Sequence, residues 1–332
     1  MKIGFSLGKL RIENGLALAP MAGVTDRAFR ALSVSMGAGM TVSEMISAKA
    51  IWYKDKKTAL LSEFSPEEEP FSIQLFGSEP EIMAHAACEL EGRYPTLAAI
   101  DINMGCPMPK ITGNGEGSSL MRSPELAGKI VKAVKDAVNL PVSVKMRTGW
   151  DETCLNAPYL AQVVEQAGAD LICVHGRTRK QLYAPPVDKK TIAAVKRGVS
   201  VPVLANGGIY TAADALSMLE ETGCDGLAIG QGAMGNPWIF RQITEALEGN
   251  AEYSPDITER RETALRHLEL LLHFKGDYIG AREARRHMSY YMKGLHGSAA
   301  ARDSLNHAED GESVRRIVDE FFQRVIEGSG EV

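Results

Sequence analysis

Ala98-Ala-Ile-Asp-Ile-Asn-Met-Gly-Cys-Pro107 is a short apolar run that stops at a glycine, a cysteine and a proline. A run of this length reads as a strand, and one so nearly unbroken reads as a strand covered on both faces. The pattern recurs along the chain. Residues 16–21, 40–45, 71–76, 98–104, 142–146, 171–174, 201–205 and 226–229 are candidate strands. Helical spacing fills gaps between them at 80–90, 124–137, 155–167 and 212–221, and follows the last at 237–247. Eight strand-helix units over ~230 residues predict an α/β fold of the (β/α)8 TIM-barrel type, with a doubly wound open sheet as the alternative.

Ahead of the first strand, Ile3-Gly-Phe-Ser-Leu-Gly-Lys-Leu-Arg-Ile12 alternates around Gly8-Lys9, which predicts a hairpin plugging the barrel bottom. Behind the last barrel helix, Gly249-Asn-Ala-Glu-Tyr-Ser-Pro-Asp256 is rich in turn formers. Beyond it, 258–274, 281–295 and 312–326 have helical spacing and almost no strand signal. The expected division is a barrel domain at 1–248 and a small C-terminal all-α domain at 256–332.

Hydrophobic residues make up 45% of the chain and charged ones 24%, the balance of a soluble globular protein. No apolar run nears the ~20 residues of a membrane span, and the N-terminus lacks the apolar core of a signal peptide, so the cytoplasm is the expected compartment. A monomer is expected. The five cysteines form no Cys-x-x-Cys pair, which argues against structural zinc and for reduced thiols. Cys88, Cys173 and Cys224 fall in apolar or helical patterns and read as inert packing residues. A net charge of −5 disfavours polyanion binding except through a locally basic surface.

In a barrel, the groups just after each strand converge on one mouth. Here they are Pro20, Met21 and Ala22; Ser43-Glu44-Met45; Gln74; Asn103 and Cys106; Lys145 and Arg147; His175 and Arg177; Asn206-Gly207-Gly208; and Gly230-Gln231-Gly232. Glycine turns on the last two strands let backbone N–H groups approach an anion, so a phosphorylated ligand is expected there. Lys145 supplies a fixed cation, and Gln74 and Asn103 supply donors and acceptors together. No cluster of acids or histidines accompanies His175, and no metal is expected.

Seven stretches in order carry a family resemblance: Ala19-Pro-Met-Ala-Gly-Val-Thr-Asp-Arg-Ala-Phe-Arg30, Gln74-Leu-Phe-Gly77, Asp101-Ile-Asn-Met-Gly-Cys-Pro107, Val144-Lys-Met-Arg147, His175-Gly-Arg-Thr-Arg179, Ala205-Asn-Gly-Gly-Ile209 and Asn236-Pro-Trp-Ile-Phe240. Together they resemble the bacterial tRNA-dihydrouridine synthases. The resemblance spans the chain, including Tyr291-Met-Lys-Gly-Leu295. It implies an FMN enzyme that reduces the C5–C6 double bond of uridines in tRNA, reloaded by NADPH or NADH. By the same resemblance, Cys106 is the proton donor to C5. Pro20, Met21, Ala22, Gln74, Lys145 and His175 line FMN, with Asn206, Gly207, Gly208, Gly230 and Gln231 toward its phosphate. Asn103 sits beside the uracil, and Arg147 and Arg177 near the cofactor or the RNA backbone. Many family members have arginine at the position of Gln231, so weaker FMN retention is expected.

The chemistry of the thiol supports that role without requiring it. An unperturbed thiol, with pKa ~8.5, is largely protonated at neutral pH and can donate, whereas a nucleophile needs a lowered pKa and a neighbouring base. A structural thiol remains the third reading. The segment Pro107–Ser119, with glycines at 113, 115 and 117, reads as a mobile lid carrying the acid. In the tail, Arg282, Arg285, Arg286 and Lys293 share a helix face, opposite Ala284, Met288, Tyr291, Met292 and Leu295, and form the basic stripe expected to meet tRNA phosphates. Tyr290 at its edge is placed to stack on a base. Two other functions fit the same motifs: an FMN reductase of a free pyrimidine or other small molecule, and a tRNA-binding protein without turnover.

Overall fold

The computed structural model describes residues 3–329. Strands β1 (Phe5–Leu7) and β2 (Leu10–Ile12) form an antiparallel hairpin in which Leu7 faces Leu10, and Gly8 takes the positive φ of 60° that the turn between them needs. Then come β3 (Leu16–Leu18), β4 (Met40–Val42), β5 (Ile46–Ser47), β6 (Phe71–Phe76), β7 (Ala99–Met104), β8 (Val142–Arg147), β9 (Leu171–His175), β10 (Val203–Asn206) and β11 (Gly226–Ile229). Every neighbouring pair among β3–β11 is parallel, and β4 pairs with β6 as well as β3, so the ring closes. The protein is a (β/α)8 TIM barrel followed by C-terminal helices.

The predicted strand at 40–45 ends at Val42, and a separate short strand, β5, begins at Ile46. β4 pairs with the start of β6 and β5 with its end, and Ser43-Glu44-Met45 bulges out between them. Ser43 bridges the gap: its N–H donates to Ser72 O at 2.9 Å, and its hydroxyl oxygen accepts the Gln74 N–H at 3.0 Å. The other strands match their predicted ranges to within a residue or two at most ends, although β3 stops at Leu18 and leaves 19–21 to the mouth loop.

Strand residues alternate between two cores. Outward-facing Ile100, Ile102 and Met104 join the shell under the helices, while Ala99 joins a separate inner cluster with Leu171, Leu204, Ala228 and the hairpin's Phe5, Leu7 and Ile12. The hairpin thus fills one end of the barrel with apolar side chains. Above that plug the inward positions turn polar, and the register puts Gln74 beside Asp101, Asp101 beside Ser143, Asn103 beside Lys145, and Arg147 beside His175.

The tail comprises helices Ile257–Tyr291, Ser298–His307 and Gly311–Ser329. The first breaks at Gly276 (φ 71°, ψ 168°), a conformation open to glycine, so the predicted helices 258–274 and 281–295 are two arms of one bent element. The helix Ser298–His307 has no counterpart in the sequence reading, nor do the barrel helices Arg27–Ser35 and Lys189–Gly198. Ala264, Leu268, Leu271, Ala284, Met288 and Met292 are fully buried in the same cluster as the barrel shell, so tail and barrel share a core.

A polar joint reinforces that packing. Asp26 caps the helix Arg27–Ser35 by accepting from the Phe29 N–H at 3.0 Å, and its other oxygen pairs with Lys275 at 2.8 Å. His287 lies 3.9 Å from that oxygen, and Phe29 stacks on His267 with ring centroids 5.4 Å apart. Burial works against the Asp26 carboxylate, but Lys275 and the two histidines outweigh it and hold its pKa below the usual range. Arg30, in the same motif, is buried against Glu68 at 2.6 Å.

Candidate active site at the barrel mouth

The strand ends open into a cavity of about 490 Å³. It is lined by Pro20, Met21, Ala22, Gln74, Asn103, Cys106, Lys145, Arg147, His175, Arg177, Asn206, Gly207, Gly208, Gly230 and Gln231. The barrel therefore gathers every predicted catalytic and cofactor residue, with Asn103, Arg147 and Arg177, around one space. The residues of the tail stripe do not line it.

Cys106 follows β7, and the Gly230 turn follows β11, four strands away around the ring of eight. The thiol and the second glycine turn thus occupy opposite sides of the mouth. The two glycine turns touch each other: a Cβ on Gly232 would lie 2.1 Å from Ile209 O, so a side chain is excluded. Gly207 has φ 102°, and a Cβ there would come within 2.5 Å of the His175 ring. These turns leave backbone, not side chain, facing the cavity, as an anion cradle requires.

Between thiol and cradle runs a chain of polar groups. Lys145 Nζ donates to Asn206 Oδ1 at 3.0 Å, and Asn206 Nδ2 donates to Ala228 O at 2.7 Å. Burial pushes the Lys145 ammonium below its usual pKa. Burial, then the cations Lys145, Arg147 and Arg177, hold the His175 imidazole well below its usual value, so it is neutral near pH 7. Arg177 Nη1 lies 3.3 Å from His175 Nε2; because Arg cannot accept, that nitrogen is the acceptor and Nδ1 carries the proton.

Cys106 is half-buried, and burial raises its pKa. Its N–H and that of Gly105 donate to Asn103 Oδ1 at 2.9 and 3.1 Å. Asn103 Nδ2 donates to Gln74 Oε1 at 2.7 Å, and Gln74 Nε2 donates to Asp101 Oδ2 at 2.6 Å. Asn103, expected to hold a base, therefore spends its amide on Gln74 and on the turn that carries the thiol.

Several side chains do other work than expected. Arg147 is buried and donates to the carbonyls of Gly105, Thr178 and Leu182 at 2.7–2.9 Å, and Arg177 donates to Ala184 O at 2.8 Å. Both clamp mouth loops and face no open solvent. Burial lowers the Arg147 pKa to about 10. The segment after Cys106 is not a free lid: Ser118 donates to Cys106 O through its N–H (3.1 Å) and hydroxyl (2.9 Å), and Glu116–Leu120 are buried, leaving Met108–Lys110 and Gly113–Gly115 exposed. Cys88, expected inside, is exposed, while Cys173 and Cys224 are buried as expected.

On the tail, the face opposite the stripe is buried at Ala284, Met288, Tyr291 and Met292. The stripe itself is divided. Arg286 and Lys293 are exposed; Arg282 folds over the Tyr278 ring at 3.6 Å; Arg285 donates to Ala308 O at the end of helix Ser298–His307. Arg286 also lies over the Gly23 turn, its Nη2 3.3 Å from where a Gly23 Cβ would stand. Tyr290 is half-buried and its backbone packs on Gly235.

Met45 lines the cavity, as its place after a strand predicts; sequence reasoning missed Asp101 and Ser143 within the strands, and the mouth residues Tyr183 and Tyr210. A lone acid on the inward parity of an otherwise apolar strand was the available signal for Asp101. Tyr210, whose hydroxyl donates to Gln231 Oε1 at 2.9 Å, carried none.

Among the described residues, no cluster of three or more His, Cys, Asp or Glu side chains could hold a metal, and no helix is long and apolar enough to cross a membrane. A TIM barrel with a cation, neutral imidazole, thiol and glycine cradle in one mouth defines a class of ligand-binding barrel enzymes. Histamine dehydrogenase from Rhizobium sp. 4-9 has a similar fold (TM-score 0.58, 13% identity, 98% of this chain and 64% of that one). The dihydrouridine synthase (Dus) family model matches residues 17–327. A tRNA-dihydrouridine synthase B of Pseudomonas aeruginosa is 41% identical over 329 residues (98% of each chain), and that of Vibrio cholerae 40% over 320 (96% and 99%). A probable tRNA-dihydrouridine synthase of Rickettsia conorii is 39% identical over 323 (97% of each). The chain belongs to the dihydrouridine synthase family, and with it to the flavin-dependent oxidoreductases.

Proposed function

We propose that this protein is a cytoplasmic tRNA-dihydrouridine synthase that reduces the C5–C6 double bond of uridines in tRNA, with FMN in the barrel mouth and NADPH as reductant. The observation that carries this reading is Cys106, a half-buried thiol across the mouth from the glycine cradle, in a chain about 40% identical to tRNA-dihydrouridine synthases along nearly its whole length. The residues fit FMN chemically: a phosphate suits the touching glycine turns, and an anionic ring edge suits Lys145. Bound there, FMN would supply hydride for C6, drawn from NADPH.

The rest is the work of this chain's side chains. Hydride addition at C6 builds negative charge toward C5 and O4, so a proton must arrive at C5. Cys106 Sγ is its source, because burial keeps the thiol protonated at neutral pH. Neutral His175 offers Nδ1–H as a donor and Lys145 a positive charge. Gln74 and Asn103 hold the turn that aims the thiol. The helices from about residue 256 onward hold tRNA through Arg286 and Lys293, while a uridine is turned out of its stack into the mouth.

The test is to incubate the FMN-loaded protein and NADPH with tRNA from cells lacking this gene. Dihydrouridine appears as a ~2 Da gain, the mass of the two hydrogens the cofactor chemistry adds. Absence of the gain with bound flavin and competent tRNA refutes the reading; reduction of free uracil in its place assigns the small-molecule alternative.

A further inference from the structure

Asp101 belongs to no part of the proposed chemistry, yet it is 4% exposed at the centre of the barrel. Both its oxygens accept: Oδ1 from the Ser143 hydroxyl at 2.5 Å and Oδ2 from Gln74 Nε2 at 2.6 Å. A carboxylate so placed commits every amide beyond it. With Nε2 turned to Asp101, Gln74 shows Oε1 to Asn103; Asn103 must then turn Nδ2 to Gln74, which leaves Oδ1 for the N–H groups of Gly105 and Cys106. Were Gln74 to flip, Oε1 would face Asp101 and Nε2 would face Asn103. Asn103 would flip in turn and set its own N–H groups against those of the thiol-bearing turn.

The structure assigns Asp101 as a positioning residue, one that fixes the flip of Gln74 and Asn103 and through them the placement of Cys106. The assignment rests on the reading of Cys106 as the proton donor. Burial raises the Asp101 pKa to about 6, and the arrangement survives its protonation, since a carboxylic acid can donate to Ser143 Oγ and still accept from Gln74. An accepting lone pair toward Gln74 is what the relay needs, and the full negative charge is not. That separates this role from an electrostatic one.

The experiment compares Asp101→Leu, Asp101→Asn and Cys106→Ala in the FMN-loaded protein by three readouts. These are flavin reduction by NADPH, the single-turnover rate at which prereduced enzyme converts bound tRNA and, in the variants that keep the thiol, alkylation of Cys106 by iodoacetamide without tRNA. Asp101→Leu removes the acceptor. It is expected to slow the uridine step about 30-fold, the scale of one buried group left unpaired, to change the alkylation rate, and to leave flavin reduction within about threefold. Asp101→Asn can keep its oxygen toward Gln74 by giving its amide to Ser143, and should recover the uridine step to within about fivefold. If Asp101→Leu does not fold, Asp101→Asn with Ser143→Ala removes the reason for that orientation at nearly constant volume, and the same loss is expected.

Two results overturn the assignment: a uridine step within threefold of the parent in the acceptor-free variant, or an equal loss in Asp101→Asn and Asp101→Leu. Cys106→Ala keeps the readings apart. If it retains the uridine step, the proton-donor reading falls, whatever Asp101 does.

Discussion

His287 makes the joint between barrel and tail a testable pH device. Its ring is 3% exposed, packed against both Phe29 and His267, with Asp26, Lys275 and Arg286 as the charged groups around it. Burial lowers its pKa from 6.5 to about 4, the cations Arg286 and Lys275 adding to the effect and Asp26 opposing it. His267, whose Nδ1 lies 3.1 Å from the Tyr291 hydroxyl, is held well below its usual value by burial and by His287. A histidine with a depressed folded-state pKa stabilises fully above its unfolded value near 6.5. That stability is lost as pH falls toward the folded value, because the unfolded chain binds the proton first. For His287 the loss between pH 6.5 and 4 comes to about 3 kcal/mol, and each such histidine contributes a slope of about 1.4 kcal/mol per pH unit in that window. His287→Leu fills a similar volume without a titrating nitrogen. Urea unfolding at pH 7.5, 6.0 and 5.0 should show stability falling steeply with acid in the parent and with a slope smaller by about 1.4 kcal/mol per pH unit in the variant. An unchanged slope would refute the account and place the acid sensitivity elsewhere.

Cys106→Ala should leave the flavin spectrum intact and abolish dihydrouridine formation, while alkylation of the parent thiol should rise with an apparent pKa above that of a free cysteine; a rate already maximal at pH 7 would argue for a nucleophile. Gln231→Arg, beside Tyr210, adds a charged donor at the cradle and should tighten FMN about tenfold in equilibrium dialysis, with no change if backbone alone holds the phosphate. The structure separates two neighbouring arginines: Arg286→Ala should weaken tRNA binding and reduce its salt slope by about 1, whereas Arg285→Ala should act by lowering the melting temperature, since its guanidinium holds Ala308 O. Equal effects of the two on tRNA affinity would restore the undivided stripe.

The barrel was legible because its strands are covered on both faces, so 71–76, 142–146 and 226–229 stand out as apolar runs between helices. The mouth followed from the same count, since residues after strands must converge. What escaped depends on pairing or on backbone. The break at Ser43-Glu44-Met45 lies between the two short strands, β4 and β5, that pair with the two ends of β6, and nothing local marks it. Arg147 and Arg177 look like free cations in sequence because their partners are loop carbonyls, which every residue carries. Helix Ser298–His307 is mostly alanine and polar residues, with Ala301 and Leu305 buried, too little for a periodic signal. Asp101 was passed over because an acid inside an apolar strand reads as an interruption until its register with Gln74 and Ser143 is known.

The Gly23 turn gives the tail a hold on the pocket itself. Its N–H is taken by Glu44 from the bulge between β4 and β5, and Arg286 of the tail lies over its α-carbon, two residues from Met21 in the cavity wall. A tail side chain thus shelters a turn of the mouth loop, so a change of shape at position 286 is felt beside the pocket as well as on the tail's own surface.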